Sequence, residues 1–303
     1  MNGMFMTGNG TEENPYLVED VYDFCAITND DDKEVTYYKL DTNIDFNDHE
    51  TYKQGLKGGA VVNANKSVLD GNGKEIRNIV AYNTTGVGSI LFTFKEINNC
   101  KFANVASFLT SRILFSSGFK RCSFYIMLYN ASFNHLFKGD TTVSHTFYEC
   151  TITFSGSSLE SMDFGTSKYE RCRIIFKDFT TPSAKTTGSG AHSFILNHGN
   201  FDHSYFTGEL NLIRNDGYDN NYIFANGSYI SVYFAVKFDM SNGTGNTYHL
   251  SFSKTAPTAS CFFDKDLISN SACNSSSNAF ALSTEECKKT SELIKIGFPV
   301  IGL

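Results

Sequence analysis

The chain lacks several features that would narrow its function at once. It has no Trp, and its 25 Lys and Arg are outnumbered by 32 Asp and Glu, giving a net charge of -7. A nucleic-acid-binding protein would carry a basic stripe, so none is expected here. No stretch approaches the roughly 20 apolar residues of a membrane-spanning helix, so no membrane insertion is expected. Met1-Asn2-Gly3-Met4-Phe5-Met6 has neither a basic n-region nor an apolar h-region. It does not read as a signal peptide, and synthesis in a cytoplasm is the expectation. There is no Cys-x-x-Cys pair and no His-Glu-x-x-His array, which removes the strongest zinc signatures. No heptad run or trimerisation segment stands out.

What the chain does have is aromatic and repetitive. Phe occurs 28 times and Tyr 16 times. One phrase recurs: Ile97-x-x-Cys100-x-Phe102, Phe119-x-x-Cys122-x-Phe124, Phe147-x-x-Cys150-x-Ile152-x-Phe154 and Tyr169-x-x-Cys172-x-Ile174-x-Phe176. A fifth copy, Phe201-x-x-Ser204-x-Phe206, has Ser in the cysteine position. Successive anchors stand 22, 28, 22 and 32 residues apart, a spacing typical of solenoid repeats. Within each copy large apolar residues alternate with variable ones, the period of a strand with one buried face. Cys100, Cys122, Cys150, Cys172 and Ser204 therefore read as one inward structural ladder of small side chains. A disulfide framework or metal array would show other spacings.

Before the repeats, Gly8-Asn9-Gly10 leads through Pro15 into a short strand, Tyr16-Leu17-Val18. Residues 19–27 then place Val21, Tyr22, Phe24, Cys25 and Ile27 as one short amphipathic helix, suited to closing the end of a solenoid. Residues 35–46 read as strand, turn and strand. Asp70-Gly71-Asn72-Gly73 is a turn that tolerates positive φ, and Ile76-x-x-Ile79 returns to a strand. Ser116-Ser117-Gly118 and Ser155-Gly156-Ser157 read as turns between later strands, and residues 180–191 as the longest loop. Residues 222–240 suit two further strands. Residues 282–294 read as a helix with a capping box from Ser283 to Glu286, stopped by Gly297 and Pro299.

Three phrases in order carry a resemblance: Gly10-Thr11 through Pro15-Tyr16, Tyr38-Lys39-Leu40 through Asn43-Ile44-Asp45-Phe46, and Leu69-Asp70-Gly71-Asn72-Gly73 through Ile76. With the repeats, the chain resembles the right-handed parallel β-helix (pectate-lyase-like) superfamily, and most of all phage tail spike and tail fibre virion proteins. The expected fold is all-β, a right-handed parallel β-helix of nine to eleven turns at roughly 22–30 residues each, with a short N-terminal capping helix and a short C-terminal helix. The expected divisions are 1–34 for the first strand and cap, 35–268 for the β-helix, and 269–303 for a C-terminal cap or attachment segment.

The resemblance implies a structural virion protein, a tail fibre or spike component made in the host cytoplasm and supporting host adsorption by binding surface glycan. The partners it implies are other virion or tail proteins and host cell-surface polysaccharide. A homotrimer is one assembly, and a monomer docked on other virion proteins is another. Two alternatives stand beside it: a polysaccharide-degrading depolymerase (lyase or glycoside hydrolase) and a bacterial surface adhesin. A depolymerase needs clustered carboxylates, and Asp163, Asp178, Asp202, Glu209, Asp216 and Asp219 do not fall into one row. Asp30-Asp31-Asp32 and Asp216 with Asp219 offer oxygen ligands, but neither segment matches the twelve-residue calcium loop. No cofactor and no metal site are expected. His198 and His203 lie five residues apart beside the longest loop. With Asp216 and Asp219 they are the candidate binding residues, and no catalytic residue is assigned.

Overall fold

The computed structural model describes residues 6–57, 60–82, 90–109, 113–131, 136–137, 145–159, 162–182, 184–185, 193–197, 199–213, 220–225, 228–239, 249–252, 258–259, 261–264, 266–267 and 279–289. The chain is a parallel β-helix. Among the described residues one strand pairing is antiparallel and the rest are parallel. It divides into two compact units, Met1–Ile152 and Thr153–Leu303.

In the first unit, one sheet is built from Tyr16–Val18, Thr36–Leu40, Val62–Asp70, Ile90–Asn98, Ile113–Lys120 and Thr146–Tyr148. A second sheet holds Ile44–Asp45, Glu75–Arg77, Lys101–Phe108 and Ser123–Ala131, with Val80–Tyr82 also paired to Lys101–Phe108. Each strand lies beside its equivalent one turn along. Leu69 pairs with Ile97 and Ile97 with Phe119, while Ile76 pairs with Phe102 and Phe102 with Phe124. The repeated phrase therefore aligns like with like. Phe102 and Phe124 stack at 4.7 Å and 1°, and Phe119 and Phe147 at 5.1 Å. Fully burying one such ring contributes about 1.5–3 kcal/mol, so the period-2 pattern that makes the strand also builds the core.

The N-terminal helix is Val21–Cys25, shorter than the sequence suggests, because Asp20 caps it by accepting from the Tyr22 and Asp23 N–H groups at 2.8 Å. It drives Phe24 into the interior against Phe46 at 5.9 Å and Phe92 at 6.1 Å, which closes that end of the core. The strand expected through Phe46 ends at Asp45. The Asp45 carboxylate accepts from Asn47 N–H at 2.9 Å and starts a single 3-10 turn, Phe46–Asp48.

Two expected turns are strands instead. Ser116-Ser117-Gly118 lies inside Ile113–Lys120. Opposite it, the register slips between Thr93 and Glu96. Buried Ser117 Oγ accepts from the Phe94 N–H at 3.2 Å, so the small polar residue occupies a bulge in the neighbouring strand. Ser155-Gly156-Ser157 likewise lies inside Thr151–Ser158, with Gly156 at φ 87°.

In the second unit the same two sheets recur. One holds Lys168–Glu170, Asn200–Asp202, Ser228–Ile230 and Thr258–Ala259. The other holds Arg173–Pro182, Tyr205–Ile213, Tyr233–Asp239, Cys261–Asp264 and Ala279–Leu282. A third sheet, not expected from the sequence, orders Met162–Asp163, Ser193–Asn197, Asn220–Ala225 and His249–Phe252. Residues 222–240 thus contribute to three strands rather than two. The expected loop 180–191 is partly strand. Thr180, Thr181 and Pro182 pair with Asn211, Leu212 and Ile213, and Ala184–Lys185 pairs antiparallel with Ser193 and Phe194. Residues 186–192 lie outside the described residues.

Tyr169 stacks on Phe201 at 4.6 Å, and Phe201 on Tyr229 at 5.9 Å. Gly208 is required where the Arg173–Pro182 strand bulges: its φ is 108°, and a Cβ there would stand 1.9 Å from the Phe176 carbonyl oxygen. The C-terminal helix is Thr284–Lys288, with the Ser283–Glu286 capping box in place. It ends at Lys289, which is extended, and residues 290–294 of the expected 282–294 lie outside the described residues. Gly297 and Pro299 lie outside the described residues.

Candidate functional site

The repeated phrase encodes a corner between the first and second sheets. In each copy of the phrase the first-sheet strand is followed by one residue with positive φ, then by the cysteine-position residue, then by the second-sheet strand. In the first unit the positive-φ residues are Asn99 (51°), Arg121 (52°) and Glu149 (53°), and in the second Arg171 (53°), His203 (46°) and Ser231 (50°). The backbone at the corner is tied to the turns on both sides. Asn99 N–H donates to Lys120 O at 3.0 Å and Arg121 N–H to Tyr148 O at 2.8 Å, both one turn ahead. Ser123 N–H donates to Cys100 O at 3.0 Å and Thr151 N–H to Cys122 O at 2.9 Å, both one turn back.

The cysteine position points inward. Cys100, Cys122, Cys150 and Cys172 are free thiols and buried, as is Ser204. Cys122 Sγ donates to Ile97 O at 3.4 Å, and Cys150 Sγ to Phe119 O at 3.6 Å. Ser204 Oγ donates to Tyr169 O at 3.0 Å. Burial raises the Cys100 thiol's pKa, with the Asp70 charge adding to it. Burial likewise raises that of Cys122, with Cys150 adding to it. These thiols stay protonated, and a thiolate, the reactive and metal-binding form, is suppressed. The row continues past the five copies seen in the sequence: Tyr229-x-x-Val232-x-Phe234 puts a buried Val in the position, and Cys261 follows.

The outward side of the corner carries both polar and apolar surface. In the first unit Asn99, Lys101, Arg121, Ser123, Glu149 and Thr151 border an open concavity of about 380 Å³. Lys101 and Arg121 are exposed and make no ion pair among the described residues. Nearby charges are matched: Lys120 meets Glu96 at 2.6 Å, and Arg77 meets Asp45 at 2.8 Å. The second unit's corner is more self-satisfied. His203 Nδ1 lies 2.6 Å from Asp202 Oδ1, Lys168 meets Glu170 at 2.7 Å, and Arg173 lies over the Tyr205 ring at 5.3 Å.

The positive-φ corner carries a backbone penalty for most side chains, about 1–2 kcal/mol for a residue other than Gly, less for Asn or Asp. Asn72 and Asn99 suit it; Arg121 and Glu149 do not. Sequence reasoning missed this row, whose only signal is the variable residue just before each cysteine position.

Of the expected binding residues, His203 occupies the second unit's corner, paired with Asp202. His198, Asp216 and Asp219 lie outside the described residues. Of the acid-rich turn 30–32, Asp30 is held by Lys33 and by the Asp32 N–H. Glu209 pairs with Lys237. Among the described residues no three His, Cys, Asp or Glu side chains gather as a metal site.

No family model and no curated protein matches the chain. Among solved structures, the chain is similar to the crystal structure of a Bacteroides ovatus protein provisionally described as an immunoglobulin A1 protease. The likeness has 13% identity and a TM-score of 0.45, over 95% of this chain and 89% of that one. At that score it carries no argument about what this chain does.

Proposed function

We propose that the chain is a structural phage virion protein, a tail fibre or spike component that supports host adsorption by binding surface glycan. The observation that supports this most is the division of labour at the corner. Inward, the turns present stacked rings and a buried thiol, hydroxyl or Val side chain. Outward, they present hydrogen-bonding side chains on a backbone tied from turn to turn. Such a scaffold is stiff and displays contact groups at a fixed repeat. Glycosidic cleavage needs an acid and a base facing one space. Among the described acids, Asp45, Glu96, Glu170 and Glu209 are each paired with a neighbouring Arg or Lys.

Mass spectrometry of purified particles, together with an adsorption assay, tests the reading. The expected result is the chain in the particle fraction and a dose-dependent block of adsorption by the free protein. Absence from particles, with no effect on adsorption, overturns it.

A further inference from the structure

The turn after the 3-10 segment Phe46–Asp48 is fastened to the N-terminal helix through one imidazole. His49 Nδ1 accepts from the Thr51 N–H at 3.2 Å and from the Tyr52 N–H at 3.3 Å. An acceptor nitrogen carries no proton, so the neutral ring holds its proton on Nε2. The half-buried ring is stacked between Tyr22 of the helix, at 4.6 Å and 30°, and Tyr52 of the turn, at 4.3 Å and 25°. The Tyr22 hydroxyl reaches past it, accepting from the Glu50 N–H at 3.3 Å and donating to Asp48 O at 3.5 Å. Tyr52 lies 6.3 Å from Phe46, the ring that meets Phe24 at the end of the core.

We propose that this stack is an acid-released latch on the N-terminal cap of the first unit. Protonation of Nδ1 turns the acceptor into a donor that faces two N–H groups. Both bonds are then lost together, and the turn loosens from Tyr22. The charged groups on the turn are Asp48, Glu50 and Lys53, with Lys53 meeting Glu50 at 2.7 Å. The helix brings Asp20, Asp23 and Cys25 beside its Tyr22. Asp20 is committed to the helix start, and Asp23 accepts from the Glu19 N–H at 3.0 Å. The Glu50 charge favours the imidazolium, but burial outweighs it and holds the ring below its ordinary value. With the folded-state value depressed, the latch contributes fully above the unfolded-state value of about 6.5. The contribution is lost as pH falls through the folded-state value.

The test is nuclear magnetic resonance of the full chain between pH 7.5 and pH 5. It reads the His49 ring nitrogens, and the hydrogen-exchange protection of the Thr51 and Tyr52 amides relative to their intrinsic rates. The expected result is an Nε2–H tautomer and a titration midpoint below about 6.5. Protection at both amides is expected to fall about tenfold with that same midpoint. His49→Asn keeps a side-chain oxygen for the turn's N–H groups and does not titrate, so its protection is expected to stay level over the range. In the parent chain, an Nδ1–H tautomer, a midpoint at or above the ordinary value, or level protection overturns the proposal. An equal fall in His49→Asn assigns the loosening to another group and overturns it too. If His49→Asn does not fold, the parent's tautomer, midpoint and protection decide.

Discussion

Cys172 and Ser204 occupy the same corner position one turn apart, and the Cys172 N–H donates to Ser204 Oγ at 3.0 Å. Ser204 Oγ passes its own proton to Tyr169 O or Asp202 O, each at 3.0 Å. The hydroxyl thus ties two turns together in a buried place. Ser204→Ala leaves the Cys172 N–H without this acceptor, and loss of such a buried partner costs about 1–3 kcal/mol. Ser204→Cys, the residue of neighbouring turns, is expected to cost less. Urea unfolding of both variants checks the order, and equal midpoints would contradict it.

Ring stacking separates core from surface. Phe124 is buried against Phe102 at 4.7 Å, Phe119 at 5.0 Å and Phe137 at 5.3 Å. Phe124→Ala is expected to destabilise by about 3–5 kcal/mol. Phe108 stacks between Tyr82 at 4.9 Å and Tyr129 at 4.6 Å, but on the partly exposed face. Phe108→Ala is expected to lose only about 1 kcal/mol beyond its smaller burial. Denaturation of the two variants side by side reads the difference.

The fold's acid sensitivity has a named contributor. Burial alone would raise the Asp45 carboxyl, but hydrogen bonds from Asn78, the Asn47 N–H and Arg77 outweigh it and hold the group below its ordinary value. A carboxyl with a depressed folded-state pKa stabilises the fold above its unfolded value, about 3.9. That contribution is lost as pH falls through the folded-state value. Asp45→Asn is therefore expected to melt earlier than the parent at pH 7, with the gap closing below about pH 4. Melting curves that stay a constant distance apart from pH 7 to pH 3 would contradict this.

The thiols are expected to be silent. Burial, with the Asp20 charge adding to it, pushes Cys25 up to about 12; the corner thiols Cys100 and Cys122 are also raised. Of eight cysteines, Cys25, Cys100, Cys122, Cys150, Cys172 and Cys261 have described side chains and form no disulfide. A thiol reagent at pH 8 should therefore label at most the other two in the native protein and all eight in denaturant. Fast native labelling of any corner cysteine would contradict the ladder.

The corner was legible because its length is fixed. A strand end, one positive-φ residue, a small buried residue and an inward ring repeat without insertion from Ile97 to Phe206. The same geometry recurs at Tyr229, Val232 and Phe234, but Val hides it from a search anchored on cysteine. It also recurs at Leu69 to Ile76, where the turn Gly71-Asn72-Gly73 lengthens the phrase. The positive φ itself left no mark at Arg121, Glu149 or Arg171, since these residue types do not announce it. The third sheet was illegible because its strands, such as Ser193–Asn197 and Asn220–Ala225, fall in the segments whose lengths vary between repeats. The capping box at Ser283 and Glu286 was readable, being set by residues three apart. Whether Ser117 makes a turn or fills a bulge was not, because its partner Phe94 lies one turn away.

The most direct test of a non-catalytic glycan-binding protein measures binding and chain length on one sample. Host surface polysaccharide is incubated with the purified chain, the bound fraction is recovered, and its length distribution is compared with that of untreated polymer. The account predicts retention of the polysaccharide at unchanged length. Shortened chains would contradict it and make the protein a depolymerase.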